Sequence, residues 1–190
     1  ALQLNGTMTG RNVRLGRRMV SQLDIPWKGT VDAEQVQIST EPFDLLGGRW
    51  QLSGRHDLSV PLTQLGLAID NLSLQAAAEM AGLPLTCRGR AQARLQLAVP
   101  DFTLDKAQAY GTWEVEDVRM PPFEAQKGRG RLRIADGVAK LDEIVLEQGS
   151  GQAQGSMEFR LDQPHRPDIQ IKVTEWPLTW EPQAVRLSID

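Results

Sequence analysis

The sequence predicts an all-β chain: an elongated, strongly curved and twisted repetitive sheet, open as a groove, with one short helix near residues 74–81. Three observations predict it. Apolar and polar residues alternate along most of the 190 residues, most strictly from Arg90 to Val99, where Ala91, Ala93, Leu95, Leu97 and Val99 alternate with Arg90, Gln92, Arg94, Gln96 and Ala98. A period of two is the pattern of a strand with one apolar and one wet face. Two short motifs recur, and only one segment has a helical period.

Residues 1–40 give Leu2-x-Leu4, Val13-x-Leu15, Ile25-x-Trp27 and Val36-x-Ile38, punctuated by Gly6, Gly10, Gly16 and Gly29. This reads as short strands joined by tight glycine connections. Glu41-Pro42 breaks the run, because proline restricts its predecessor and lacks a donor for the ladder. Gly47-Gly48 signals a turn before a strand at Trp50 and Leu52. That strand ends at Leu58–Pro61, and Leu65–Leu74 supplies the next. The helical segment is Leu74–Ala81, with Ser73 as N-cap and Gly82 as the left-handed C-terminal residue. Leu74, Ala77, Ala78 and Ala81 fall on one helical face. Eight residues cannot hold a helix alone, so it is expected to lean on the sheet and close one end of it.

From Thr86 the chain reads as strand after strand: Arg90–Val99, 107–120, 130–134, 138–146, 151–161 and 169–178, with a further strand in 183–189. Asp136-Gly137 is a hairpin turn, and Pro164–Pro167 is a loop. Gly149-Ser-Gly-Gln-Ala-Gln-Gly155 superficially suggests a phosphate loop, but an alternating run follows it where a helix would be needed. It reads as a hairpin.

The first repeated motif is an apolar residue, two mostly polar ones, an apolar, any residue, an apolar. Ile69-Asp-Asn-Leu72-Ser-Leu74, Val115-Glu-Asp-Val118-Arg-Met120, Leu141-Asp-Glu-Ile144-Val-Leu146 and Val173-Thr-Glu-Trp176-Pro-Leu178 fit it. A step of three moves the apolar set to the other face unless a bulge intervenes, so each copy marks a bend or crossing. The second motif begins with glycine and small residues and ends with large ones: Gly89–Leu97, Gly128–Ile134, Gly151–Phe159, and loosely Gly48–Gly54. Small-to-large strands let a sheet curl at one end and fill at the other.

The net charge of -3 gives no electrostatic reason to bind nucleic acid. Residues 1–30 are locally basic, with Arg11, Arg14, Arg17, Arg18 and Lys28 against Asp24. They sit either on the wet face of a strand or near anionic headgroups. Cys87 is the single cysteine, so an intrachain disulfide is impossible; the two histidines, His56 and His165, suggest no metal site. No cofactor is called for. Asp101 and Asp105 read as loop residues, and His56 beside Asp57 as a decorated strand. The chain is therefore expected not to be an enzyme. Trp27, Trp50, Trp113, Trp176 and Trp180 sit in strand-like runs, either as core or at a greasy rim. No apolar run reaches 18 residues, and the first residue is Ala, which suggests a mature or excised segment with any anchor outside it.

The Gly-Gly strand, the Leu67-Ala-Ile-Asp-Asn-Leu-Ser-Leu74 strand, the helix ending in Gly82-Leu-Pro and the Arg88-Gly-Arg-Ala strand resemble the repeat unit of the bacterial AsmA and TamB proteins. Gly111-Thr-Trp-Glu-Val-Glu-Asp-Val-Arg-Met and Gly149–Gly155 are similar to the type II secretion system protein N family. The resemblance spans residues 40–178; residues 1–40 fit it loosely, within one β-rich domain of 190 residues. It implies a periplasmic domain, inner-membrane anchored in the full-length protein, whose apolar groove shelters phospholipid or other lipid for lipid transport or outer-membrane maintenance. Each methylene taken from water contributes about 0.8 kcal/mol, so a 16-carbon chain gains roughly 10 kcal/mol without a charged pocket. The expected lining is Leu95, Leu97, Val99, Trp113, Val115, Leu132 and Ile134. The alternative is an assembly subunit of a secretion machinery that binds a protein partner through its sheet edges.

Overall fold

The computed structural model describes residues 1–15, 18–80, 86–100, 106–120, 123–160 and 168–176. The strands are β1 (Leu2–Leu15), β2 (Arg18–Val31), β3 (Gln35–Thr40), β4 (Phe43–Leu45), β5 (Gly48–Asp57) and β6 (Leu62–Ser73), followed by the helix α1 (Leu74–Met80). After it come β7 (Arg88–Pro100), β8 (Gln108–Met120), β9 (Phe123–Ala135), β10 (Val138–Gln148), β11 (Gly151–Arg160) and β12 (Asp168–Thr174). All belong to one twelve-stranded antiparallel sheet that does not close into a barrel. Strands pair in chain order, except that β5 is flanked on one side by both β3 and β4.

β3 and β4 are one strand interrupted at Glu41-Pro42, as proline there demands. Two hydrogen bonds bridge the interruption. Leu52 N donates to Thr40 Oγ1 at 2.9 Å, and Glu41 N donates to the Pro26 carbonyl at 2.9 Å. The expectation of short strands separated by Gly6, Gly10 and Gly29 is corrected: all three glycines lie inside the two 14-residue strands β1 and β2. They occur there because neighbours occupy their side-chain space; a Cβ on Gly6 would sit 3.1 Å from the Trp27 indole nitrogen. Gly16 lies outside the described residues. The turns at Leu46-Gly47 and Asp136-Gly137 have two successive positive φ values, 55° and 74° at the first and 51° and 73° at the second. These are the primed hairpin turns that match strand twist.

Each copy of the first motif has its second polar residue in the left-handed region: Asn71 at φ 57°, Asp117 at 52°, Glu143 at 53° and Glu175 at 51°. Three of these positions coincide with register shifts. Ile69 and Leu72 face Ala93 and Ala91, Leu141 and Ile144 face Met157 and Gly155, and Glu116 and Arg119 face Arg90 and Arg88. Three residues thus oppose two, and the extra residue is absorbed by the left-handed turn. The apolar residue after the bulge therefore returns to the same face. The motif bends the strand and keeps its amphipathicity.

The helix begins where Ser73 Oγ accepts the Ala76 amide at 3.4 Å, the expected N-cap. It ends at Met80 in the structure; Ala81 and Gly82 lie outside the described residues. Ala76 and Ala78 are its buried residues, so the expected stripe of Leu74, Ala77 and Ala78 is rotated. Ala76 packs with Leu46, Ile69 and Leu72, and Leu15, Val20, Trp50, Ala91 and Ala93 pack around that cluster. The helix thus covers one end of the sheet between β2 and β6–β7, and small side chains let it approach closely. Arg18 of β2 donates to Glu79 Oε2, and Gln75 Oε1 accepts the Cys87 amide at 3.0 Å, which ties the helix to the sheet at two points.

Candidate functional site

Antiparallel pairing sorts the side chains into two faces, because residues directly opposite share a face. One row runs Leu4, Gly29, Ile38, Gly54, Leu65, Leu97, Ala109, Ile134, Ala139 and Phe159 through ten successive strands. The next runs Leu52, Leu67, Leu95, Gly111, Leu132, Leu141, Met157 and Ile169. A further row holds Trp50, Ile69, Ala93, Trp113 and Gly130, with Ala91, Val115 and Gly128 beyond it. The sheet therefore has one continuous apolar face.

All seven residues expected to line the groove lie on that face, on the neighbouring strands β7, β8 and β9. Leu95 faces Gly111, Leu97 faces Ala109, and Trp113 and Val115 face Gly130 and Gly128. Leu132 and Ile134 continue these rows, and Val99 stands opposite Thr63. The face is paved by large residues set over small ones. A Cβ on Gly111 would meet Leu95 Cδ2 at 2.6 Å, and one on Gly128 would meet Leu146 Cδ2 at 2.6 Å and Val115 Cγ2 at 2.7 Å. Trp27, Trp50 and Trp113 all belong to it, and Trp50 Nε1 donates to the Leu45 carbonyl at 2.8 Å. The buried indole N–H of Trp113 has no hydrogen-bond partner among the described residues.

This face is only partly covered. Val99 is buried, yet Leu2, Leu4, Met8, Ile38, Leu52, Leu65, Ile169, Ile171 and Val173, all on the same face, are exposed. Sequence reasoning named Leu95 to Ile134 from their strict alternation and omitted this outer set. The signal was the same alternation in β1, β3, β5, β6 and β12, interrupted in β1 by Gly6 and Gly10, which read as turns.

The opposite face is polar, and two shallow hollows of about 880 and 1050 Å³ open on it. Most contributing strands of the first hollow supply a triplet such as Gln37-Ile38-Ser39 or Gln64-Leu65-Gly66. The outer members belong to the polar face and the middle one supplies backbone floor. Leu95, Leu97, Leu132 and Ile134 border the hollows only in this sense; Val99, Trp113 and Val115 are not part of them. Tyr110, hydrogen-bonded to Gln96, stands between the two. Arg94 pairs with Asp70 at 2.7 Å and Arg131 with Glu143 at 2.9 Å.

Of the groups weighed for catalysis, the described pair His56 and Asp57 is not brought together. His56 Nδ1 lies 3.0 Å from Thr63 Oγ1 on the apolar face, while Asp57 turns away and accepts the Ser59 amide at 2.8 Å. Hydrogen bonds from the Ser59 hydroxyl and amide hold the Asp57 carboxyl below its usual range. Asp101 and Asp105 lie outside the described residues. Cys87 is a buried free thiol, pushed up by burial with a smaller contribution from Glu79. Among the described residues no group of histidine, cysteine and carboxylate side chains could hold a metal ion, and no helix is long and apolar enough to cross a membrane.

Fold and faces together define a class: an open, amphipathic, antiparallel meander capped at one end by a helix. No family model, curated protein or solved structure matches the chain.

Proposed function

We propose that this domain shelters lipid acyl chains on its apolar face, without catalysis, as part of lipid transport or membrane maintenance in a bacterial envelope. The observation that carries the reading is the set of exposed large apolar residues, Leu4, Ile38, Leu52, Leu65 and Ile169 among them, in two adjacent rows of a face that is continuous from edge to edge. A soluble chain rarely leaves so extended an apolar surface without a ligand or partner for it. Rows of Leu, Ile and glycine crossing the strands offer a flat, unbranched path with no charged side chain in it, which suits a hydrocarbon chain. The resemblance of residues 40–178 to AsmA- and TamB-type repeats supports the same reading.

Native mass spectrometry of gently purified protein tests it. Phospholipid or fatty-acid adducts are expected, and they should fall away in Ile38→Glu and Leu65→Glu variants that retain the wild-type circular dichroism. A chain that carries no lipid after extraction from cells and captures none from mixed phospholipid vesicles would refute the proposal.

A further inference from the structure

One edge of the sheet is open to another strand, and we propose that it takes the same strand of a second copy of this chain. Two β1 strands would pair antiparallel about a two-fold axis at Gly6 and join two sheets into one. Among the described residues β1 is bonded on one side only, to β2, and it is fourteen residues long. From Leu2 to Gly10 it has neither a charged residue nor a proline. Sheet edges are ordinarily blunted by short strands, lysines, prolines or bulges, because an unpaired row of amides and carbonyls recruits other chains. The opposite edge is blunted in this way: β12 is seven residues long and carries Asp168 and Lys172. Among the described residues, the Leu2–Gly10 part of β1 is the edge without such protection.

The topology selects the partner edge. Eleven strands follow one another antiparallel along the path, so β1 and β12 run in the same direction. Joining β12 of one copy to β1 of the next would require a parallel junction in an otherwise antiparallel sheet. Pairing β1 with β1 is antiparallel and closes as a two-fold dimer. The register follows from the side chains. With Gly6 on the axis, Leu4 stands opposite the partner's Met8, Leu2 opposite the partner's Gly10, Asn5 opposite the partner's Thr7 and Gln3 opposite the partner's Thr9. Apolar then meets apolar on one face and neutral polar meets neutral polar on the other; a slip by one residue would reverse both. Leu2 and Met8 are 61% and 62% exposed in the single chain, so the pairing has apolar surface to cover. The Trp27 indole fills the space beside Gly6, which puts one indole from each copy next to the axis.

Sedimentation equilibrium of the chain at concentrations up to about 100 µM is expected to show a reversible dimer. The variants Asn5→Lys/Thr7→Lys and Asn5→Glu/Thr7→Glu each set like charges opposite one another twice, and should weaken the dimer at least tenfold. An equimolar mixture of the two should restore it, a result that misfolding cannot produce. Lys172→Thr on β12 should change nothing. Hydrogen exchange on the wild-type chain gives a second reading that depends on no variant: amides within residues 2–10 should gain protection with concentration while those of 168–174 do not. A chain that stays monomeric, a dimer indifferent to both charge pairs, or concentration-dependent protection confined to β12 would overturn the proposal.

Discussion

The Trp113 indole occupies the space that a side chain at Gly130 would need: a Cβ there would come within 2.6 Å of Cζ2 and 2.9 Å of Nε1. The two residues stand directly opposite one another on β8 and β9, so an indole is matched to the smallest residue of its row. The indole is a rigid ring, and it cannot yield as a flexible chain end would. Gly130→Ala should therefore destabilise the chain by about 1–3 kcal/mol, as overpacking of a fitted site does. Trp113→Leu should recover part of that loss when combined with it. Urea unfolding of both single variants and the double variant would show the non-additivity expected of residues in contact.

That pairing also shows which parts of the fold can be read from sequence. Strict alternation placed Leu95, Leu97, Val99, Trp113, Val115, Leu132 and Ile134 on one face, because period two is a local property and needs no knowledge of neighbours. The Ser73 cap and the step-of-three motif are local too, and the left-handed residues at Asn71, Asp117, Glu143 and Glu175 fall where that motif has its extra residue. Gly6, Gly10 and Gly29 misled because a glycine reads alike whether it turns the chain or makes room for a neighbouring side chain; only the register brings Trp27 beside Gly6. The rotation of the helix toward Ala76 also depends on tertiary partners, Leu46 and Ile69, that the helical period does not contain. The polar face was passed over for another reason. Its hollows arise between rows of long and short side chains on different strands, and no single strand displays them.

At Asp117 the backbone needs a positive φ of 52° within β8, a conformation that costs an L-residue roughly 1–2 kcal/mol and that glycine adopts freely. Asp117→Gly should raise stability by about 0.5–1 kcal/mol, and Asp117→Val, β-branched and unable to reach that conformation comfortably, should lower it by about 1–2 kcal/mol. For a chain of this size each kcal/mol moves the thermal midpoint by about 2–4 °C. Calorimetry of the two variants should move the midpoint in opposite directions. Equal losses in both would mean that the Asp117 side chain, and not its backbone, is what the strand needs.

The helix lock should be sensitive to acid. The Arg18 side chain donates to Glu79 Oε2, and Gln75 donates to Oε1 at 2.9 Å; these hydrogen bonds, that from Arg18 first, hold the Glu79 carboxyl below its ordinary value of 4.5. A carboxyl depressed in the folded state stabilises it above the unfolded value, and that contribution disappears as pH falls through the lower, folded value. Glu79→Gln should therefore be less stable than wild type at pH 7, and the gap should close below about pH 4. Urea midpoints of the two proteins across that range would show it. A gap that stays constant would mean that the Arg18 contact acts through packing of its stem and not through charge.

Leu65 and Leu72 lie on the same face of β6, yet Leu65 is 42% exposed and Leu72 is 8% exposed, packed with Ile69 and Ala76 under the helix. Among the described residues the apolar face thus has two parts, one packed by the protein itself and one exposed. Leu72→Ala should cost about 2–4 kcal/mol through lost burial and a residual cavity. Leu65→Ala should fall within about 0.5 kcal/mol, as substitutions at exposed positions do. Lipid capture should show the reverse order. Leu65→Asp should abolish uptake of a fluorescent fatty acid while leaving the unfolding midpoint nearly unchanged, and Leu72→Ala should retain uptake at temperatures where it stays folded. If Leu65→Asp proved as destabilising as Leu72→Ala, the open half of the face would be a core closed by packing in solution, and its occupant would be the chain itself.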